Sequence, residues 1–369
     1  MARQLDIGGS ERQMTEMAKS LDRTRFEPHV GCFRPEGVRG EELRAAGVPV
    51  VHFPVHSYLS LVPVREAARL SRYIRRNRIQ LVHTWDYPLE VFGIPVTRVL
   101  TSAVAVSSQR GHRGLTPHSY RRLQHVCDRM SNAVVVNCEF LRQHLERDEK
   151  ISPHKIRVCY NGLDLEQFRP LPGARVERLR EASLVIGTVC VLRPEKSLDT
   201  LLRAFAAVRR PEMKLAVVGS GPELPALQEL ASSLGIADDC VFQSGTGDVP
   251  QWLRSFDIFV LPSVTEALSN SLMEAMACGC AVAASHVGGN PELVTDGETG
   301  LLFQARDAAG LARTLTALIE NLALRRRLAA AASERMRLAF STARSAARMG
   351  EIYEELIRAR LGAGGTQRL

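Results

Sequence analysis

The sequence has no apolar run near the roughly 18 residues that a membrane-crossing helix needs. Its opening, Met1 to Ser10, carries no apolar stretch of the secretory-signal type. The expectation is a cytoplasmic protein, at most touching the inner face of a membrane. None of the eight cysteines stands in C-x-x-C spacing, and no two histidines form an H-x-x-x-H pair on a helix. Reduced, buried thiols and no structural metal are therefore expected. Lysine is scarce: Lys19, Lys150, Lys155, Lys196 and Lys214 are the whole set, so arginine carries almost all of the net charge of +8. Aromatic residues make up only 5%. They do not interleave with the clusters Arg72, Arg75, Arg76 and Arg78 or Arg325 to Arg327, which argues against nucleic acid as a partner. Two readings of the charge remain: contact with anionic substrates or lipid headgroups, and a basic surface that is simply solvated.

What is present is globular: 45% apolar and 24% charged residues over 369 positions. That length exceeds a single core and predicts two domains. Short apolar runs alternate with amphipathic stretches. Strands are expected at Pro28 to Phe33, Val48 to Phe53, Ile79 to Thr84, Ala103 to Ser107, Ala133 to Asn137 and Ile156 to Tyr160. Helices are expected at Glu11 to Leu21, Arg39 to Ala46 and Pro63 to Arg76. After a linker at Pro170 to Gly173 the pattern restarts. It then gives strands at Leu184 to Val191, Lys214 to Gly219, Cys240 to Gln243 and Ile258 to Pro262, with helices at Ser197 to Ala207, Leu224 to Leu234 and Val249 to Ser255. From Ala308 to Arg360 the chain is nearly all helix-forming. This alternation implies α/β domains with parallel sheets covered on both faces, and ligands at the carboxyl ends of the strands. Only Arg3 to Ile7 precede Gly8-Gly9. That stretch is short and polar for a central strand, so the first strand is expected to be missing and the chain to begin about one strand late.

The densest chemical signal is Pro262-Ser-Val-Thr-Glu266 running through Asn270, Ser271, Leu272 and Glu274 to Gly279. A strand ends near Leu261, and a helix begins around Asn270-Ser271. Its free N–H groups and positive dipole end suit a diphosphate. A carboxylate beside a diphosphate is unfavourable unless it binds hydroxyls, which assigns Glu266 and Glu274 to sugar contacts. The plainer reading of Glu274 is an acid that decorates a helix N-terminus.

Glu266 and Glu274 have the E-x7-E spacing of retaining glycosyltransferases of the GT-B fold, and the chain resembles their family-4-like, group 1 members. Four further stretches match in order: Gly8-Gly9-Ser-Glu-Arg-Gln13; Tyr160-Asn-Gly-Leu-Asp164 with Phe168; Leu192-Arg-Pro-Glu-Lys196; and Val287-Gly-Gly-Asn-Pro-Glu292 with Asp296-Gly-Glu-Thr-Gly300. The resemblance implies two doubly wound Rossmann-like domains facing across a cleft. Residues 1–168 would form the acceptor-side domain and 174–340 the donor domain. A helix over 341–361 would pack back across both, leaving a mobile tail from 362 to 369.

The same resemblance assigns the donor diphosphate to Lys196, the donor-sugar hydroxyls to Glu266 and the ribose to Glu274. Backbone N–H groups of Asn270, Ser271 and Leu272 would face the phosphates. Gly8 and Gly9 would let the backbone approach the donor, and Gly219 would line the base pocket. No cofactor is implied beyond the nucleotide-diphosphate sugar as co-substrate. The acceptor would be a glycan or a lipid-linked hydroxyl, with contact to anionic membrane.

This chain departs from the family pattern in two places. Val191 stands where the family has an arginine five residues before the lysine, and Cys190 where glycine is common; Arg193 is the candidate replacement cation. In Ser107 to Arg113, Arg110 occupies the place of a family histidine, with His112 two residues on. His112 is either a catalytic contact or an ordinary loop histidine, and the arginines there suit phosphate or an acidic acceptor. His83, at a strand end, is either a substrate contact or a satisfied histidine. Asp164-x-Glu166 sits in a turn and is not read as a metal site. A catalytically silent binding module is the alternative function. A dehydrogenase is disfavoured because Gly8-Gly9-Ser is not followed by G-x-G-x-x-G spacing, and a same-fold epimerase is weaker still.

Overall fold

The computed structural model describes residues 1–6, 8–171, 173, 175–245 and 247–365. They divide into two compact units, Met1–Gly162 with Thr342–Leu369, and Leu163–Ser341. The first unit holds β1 (Ala2–Gln4), β2 (Val30–Arg34) and β3 (Val50–His52), parallel in the order β1-β2-β3. It also holds β4 (Leu81–Thr84), β5 (Val104–Gln109), β6 (Ala133–Val136) and β7 (Ile156–Val158), parallel in chain order. Between them run α1 (Gly9–Ser20), α2 (Val38–Ala45), α3 (Val62–Arg76), α4 (Tyr87–Leu100), α5 (His118–Met130) and α6 (Glu139–Arg147). β5 and β6 are buried along their whole length, as parallel strands covered on both faces must be.

The first strand is present, which corrects the expectation that it is missing. Ala2 pairs with Cys32 and Gln4 with Arg34, and the Met1 carbonyl accepts the Trp85 N–H at 3.0 Å just past β4. Ala2 and Leu5 are buried while Arg3 is exposed. The polar residue that made the stretch look unlike a strand occupies the open side of the pleat. Ile7, in the same stretch, lies outside the described residues.

The second unit holds β8 (Leu184–Val189), β9 (Met213–Val218), β10 (Cys240–Gln243), β11 (Ile258–Leu261), β12 (Ala281–Ser285) and β13 (Leu301–Phe303). They form one parallel sheet in the order β10-β9-β8-β11-β12-β13. Its helices are α7 (Leu198–Val208), α8 (Leu224–Ser233), α9 (Val249–Arg254), α10 (Asn270–Ala277), α11 (Asn290–Leu293), α12 (Ala308–Glu320) and α13 (Leu322–Ala339). Leu201, Leu202 and Phe205 of α7 share one core with Leu311, Leu315 and Leu318 of α12. Each such side chain contributes about 1.5–3 kcal/mol by leaving water. Asp307 and Asn321 cap α12 and α13, accepting from Gly310 and Leu324 N–H at 2.8 Å each.

The units part at Gly162 and Leu163 rather than at Phe168. Leu163 N–H donates to the Phe340 carbonyl at 2.8 Å, and Leu163 bridges Ser341. The expected linker includes Pro172, which lies outside the described residues. The last helix, α14 (Thr342–Gly365), belongs to the first unit. There its Met349, Ile352, Tyr353 and Leu356 join the core of Met14 and Met17 from α1. α14 runs on to Gly365, so the tail expected from Gly362 does not begin there; residues 366–369 lie outside the described residues.

All eight cysteines are free thiols, with Cys190 and Cys240 partly exposed. Among the described residues no helix is long and apolar enough to cross a membrane.

Candidate active site

In the second unit the chain builds β8, β9 and β10 outward to one side, then crosses to the other with β11. Sheet order therefore reverses between β8 and β11, and the crevice beyond the carboxyl ends of two such strands is where open α/β sheets take ligands. The loops that leave these two strands carry Lys196 and Glu266.

Beyond β8 the chain passes Val191, half exposed, and makes a 3-10 turn over Pro194–Lys196. Ser197 then takes a left-handed conformation, φ 48° and ψ 47°, to start α7. That conformation is costly for a residue with a Cβ. Ser197 Oγ is held at 2.9 Å from Thr200 Oγ1 and 3.2 Å from Asp199 Oδ1. Lys196 Nζ donates to Glu266 Oε1 at 2.5 Å, and Ser263 Oγ donates to the same oxygen at 2.7 Å. Both partners are largely shielded, with side chains 19% and 11% exposed, so their charges act at close range with little water between them. The Val264 N–H donates to the Glu195 carbonyl at 2.8 Å and ties the two loops together. Cys190 lines the same corner. Burial pushes its thiol up to about 11, and the charges of Lys196 and Glu266 both reach it.

The Glu266 loop is fixed from below. Ser285 Oγ at the end of β12 donates to the Ser263 carbonyl at 2.6 Å, and Gly289 N–H donates to the Ala267 carbonyl at 2.9 Å. Gly288 has φ +57°, and a Cβ there would lie 1.9 Å from the Glu266 carbonyl oxygen. The Val287 to Glu292 turn is thus the floor under Glu266. Gly219 plays the same part for β9: its φ is +144°, and a Cβ would lie 1.8 Å from the Cys190 carbonyl oxygen. The glycine expected to line a base pocket lets the β9 loop cross the β8 loop that carries Lys196.

α10 begins at Asn270, where the helix was expected. Ser269 is the cap, and its Oγ accepts the Leu272 N–H at 3.3 Å. Asn270 and Ser271 open the helix, and of the three N–H groups expected to face phosphate, that of Leu272 is already engaged. Glu274 lies on α10 and is buried. Arg193 is not drawn into the Lys196–Glu266 pair. Its side chain is 60% exposed and sits 3.9 Å from Glu195.

The remaining candidates are in the first unit. Gly8 is the N-cap of α1 in extended conformation, and Gly9 is its first residue. A Cβ on Gly8 would meet the end of the Glu11 side chain, a flexible neighbour. His112 caps a short turn, accepting the Gly114 N–H at 3.0 Å on Nδ1. Its ring stacks on His144 at 4.0 Å between centroids, and burial lowers its pKa. His83 has both ring nitrogens engaged, Nδ1 with Tyr353 Oη and Nε2 with Ser108 Oγ, each at 2.7 Å. Burial, with the Arg110 charge, holds it neutral well below the usual range. The satisfied reading of His83 is the one seen.

Sequence reasoning missed Ser263 and Ser197. The first stands three residues before Glu266 inside the motif and was legible there; the second has no local signal, because serine does not announce a left-handed turn.

The group 1 glycosyl transferase model matches residues 174–335, and the family 4 glycosyltransferase model matches residues 7–167. The chain is 30% identical to a D-inositol 3-phosphate glycosyltransferase of Streptomyces coelicolor, over 95% of this chain and 88% of that one. It is 32% identical to a GDP-mannose-dependent alpha-(1-6)-phosphatidylinositol monomannoside mannosyltransferase of Mycolicibacterium smegmatis, over 79% of each. Among solved structures, Anabaena HepE in complex with UDP superposes with a TM-score of 0.85 at 20% identity, covering 96% of this chain and 98% of that one. The fold is that of the GT-B glycosyltransferases. The chain belongs to the group 1 glycosyl transferases, with a family 4 N-terminal unit.

Proposed function

We propose that this glycosyltransferase moves a sugar from a nucleotide-diphosphate sugar to a hydroxyl acceptor, with retention at the anomeric carbon and without a metal. The observation that carries the reading is the Lys196–Glu266 pair at the β8/β11 reversal. Glu266 neutralises Lys196 in this pair. A diphosphate competes for that ammonium and frees the Glu266 carboxylate, still held by Ser263, to accept from sugar hydroxyls. As the bond from the anomeric carbon to the phosphate oxygen breaks, negative charge grows on the leaving diphosphate. In this reading Lys196 and the N-terminal end of α10 stabilise it. The acceptor oxygen bonds to the anomeric carbon on the face the phosphate leaves, and its proton passes to the departing phosphate oxygen. Charge neutralisation falls to a lysine and a helix end, so the reading assigns no metal or other cofactor.

The UDP complex of HepE and the GDP-mannose dependence of the Mycolicibacterium relative support a nucleotide-sugar donor. The D-inositol 3-phosphate and phosphatidylinositol monomannoside in the relatives' names support an acceptor of that kind, and with it a role in envelope polysaccharide or glycolipid synthesis. The direct test is thermal unfolding against UDP, GDP, ADP and NAD. One nucleoside diphosphate should raise Tm with a concentration dependence set by its Kd, and NAD should not. A shift with NAD alone would remove the reading.

Contact with anionic membrane is supported by the first unit's surface. Leu59, Leu61 and Val64 are 99%, 84% and 69% exposed, next to α3. The open face of α3 carries Arg65, Arg69, Arg72, Arg75 and Arg76. An apolar tip beside a row of arginines fits an anionic headgroup layer. Binding to phosphatidylglycerol vesicles should exceed that to phosphatidylcholine, fall with salt, and drop in a Leu59→Ser, Leu61→Ser double variant. Equal binding to both vesicles, or none, would contradict it.

A further inference from the structure

We propose that Arg110 receives an oxyanion, a phosphate or carboxylate group, on the substrate bound by the first unit; the inference rests on the glycosyl-transfer reading above. Arg110 directly follows β5, Trp85 directly follows β4, Asn137 directly follows β6, and Asn161 stands three residues past β7. Because these strands are neighbours in chain order, the four residues gather along one carboxyl edge of the sheet. Gln109 pairs with Val136 across β5 and β6, which sets Arg110 and Asn137 at the same level. Such edges are where parallel sheets meet their ligands.

The Arg110 guanidinium lies over the Trp85 ring, its carbon 4.1 Å from the centroid. Nη1 donates to Asn161 Oδ1 at 2.9 Å. Nε and Nη2 are buried and have no hydrogen-bond partner among the described residues, while part of the residue stays open. The groups that feel or modify its charge are Cys138, Cys159, Tyr353 and His83. None is a carboxylate. Arg113, three residues on, shows what this chain does with a structural buried arginine: Asp128 lies 2.8 Å and Glu149 3.4 Å away, and Gln109 accepts from Nε at 3.2 Å.

A buried cation without a counter-charge costs more than one amide bond and ring stacking return. Groups left in that condition at a ligand edge are kept for what they bind. Nε and Nη2 are the adjacent donors that an arginine offers to a planar carboxylate or a phosphate in two parallel bonds. Asn137 Oδ1 is also buried without a partner among the described residues and would accept from a hydroxyl on the same ligand.

The test is titration calorimetry of the full chain with two matched pairs, myo-inositol 1-phosphate against myo-inositol and glucuronate against glucose. Nucleoside diphosphate binding is measured in parallel. The charged member of one pair should bind about 10- to 100-fold more tightly, and which pair shows it identifies phosphate or carboxylate. Arg110→Met should abolish the preference, leave nucleotide binding intact and not lower Tm. Should that variant fail to fold, Arg110→Gln, which keeps an amide toward Asn161, takes its place with the same expectation. No anion preference in the parent, or a preference that survives in the variant, would overturn the proposal. So would a folded variant whose Tm falls sharply, because that is the mark of a structural arginine. Lys196→Ala should lose nucleotide binding and keep the anion preference, so failure of the donor reading is read separately.

Discussion

Lys196→Ala should lower sugar transfer by about a hundred- to a thousandfold, through weaker donor binding and a lower kcat together, and leave the chain folded. Among the described residues the ammonium is the charged partner of the Glu266 carboxylate, and the proposed function gives it the leaving diphosphate to stabilise. Removing one preorganised group of that kind from a shielded site costs about 3–4 kcal/mol of transition-state stabilisation. The fold should tolerate the change because Glu266 keeps Ser263 as a donor. Lys196→Arg separates charge from placement. It retains the cation on a planar fork that does not reproduce the compact ammonium, so it should recover nucleotide binding more than turnover. Steady-state kinetics with thermal shifts on the same samples check all three statements, and a Lys196→Ala protein with parental kcat would contradict the role.

Gly219→Ala should destabilise the second unit by about 2–4 kcal/mol and carry transfer down with it. Two effects add: a φ of +144° that side-chain-bearing residues rarely adopt, and a Cβ 1.8 Å from the Cys190 carbonyl oxygen. That oxygen is backbone and can yield only by moving the β8 loop, the same loop that holds Lys196. Gly235→Ala is the control. Gly235 has φ +64° but nothing within 4 Å of the added carbon, so it bears the backbone cost alone, about 1 kcal/mol. Urea unfolding of the two variants should show the larger loss at Gly219, and equal losses would mean that the loop crossing is soft.

Much of the second unit was legible because its strands are bounded apolar runs. The structure places β10 at Cys240–Gln243, the residues expected, and α8 and β9 within a residue of expectation. β12 was harder: Ala281 to Ser285 is mostly alanine, with little preference for strand, and it is a strand because β11 and β13 flank it. α4 was hidden by Pro88, Gly93 and Pro95, which read as breakers although Pro88 stands in the first turn, where its missing N–H is harmless. The unit boundary depends on Leu163 meeting Phe340 and Ser341, a contact between distant parts of the chain that no local pattern reports.

The candidate site divides in the same way. Lys196 and Glu266 stand in motifs, and their meeting at 2.5 Å follows once β8 and β11 are neighbours. Arg193 looked like a replacement cation on proximity in sequence alone, and the 3-10 turn over Pro194–Lys196 leaves it in solvent. The Arg110 stack on Trp85 joins residues from successive strand ends, so only the sheet order reveals it.

The most direct test of the account is nucleoside diphosphate release by the purified chain. UDP-, GDP- and ADP-sugars would be offered with an inositol phosphate acceptor, and the parent compared with Lys196→Ala. Acceptor-dependent release from one class of donor is expected, with near-complete loss in the variant. Nucleotide binding without release from any donor would contradict it, and would mark the chain as a glycosyltransferase fold that binds its donor without using it.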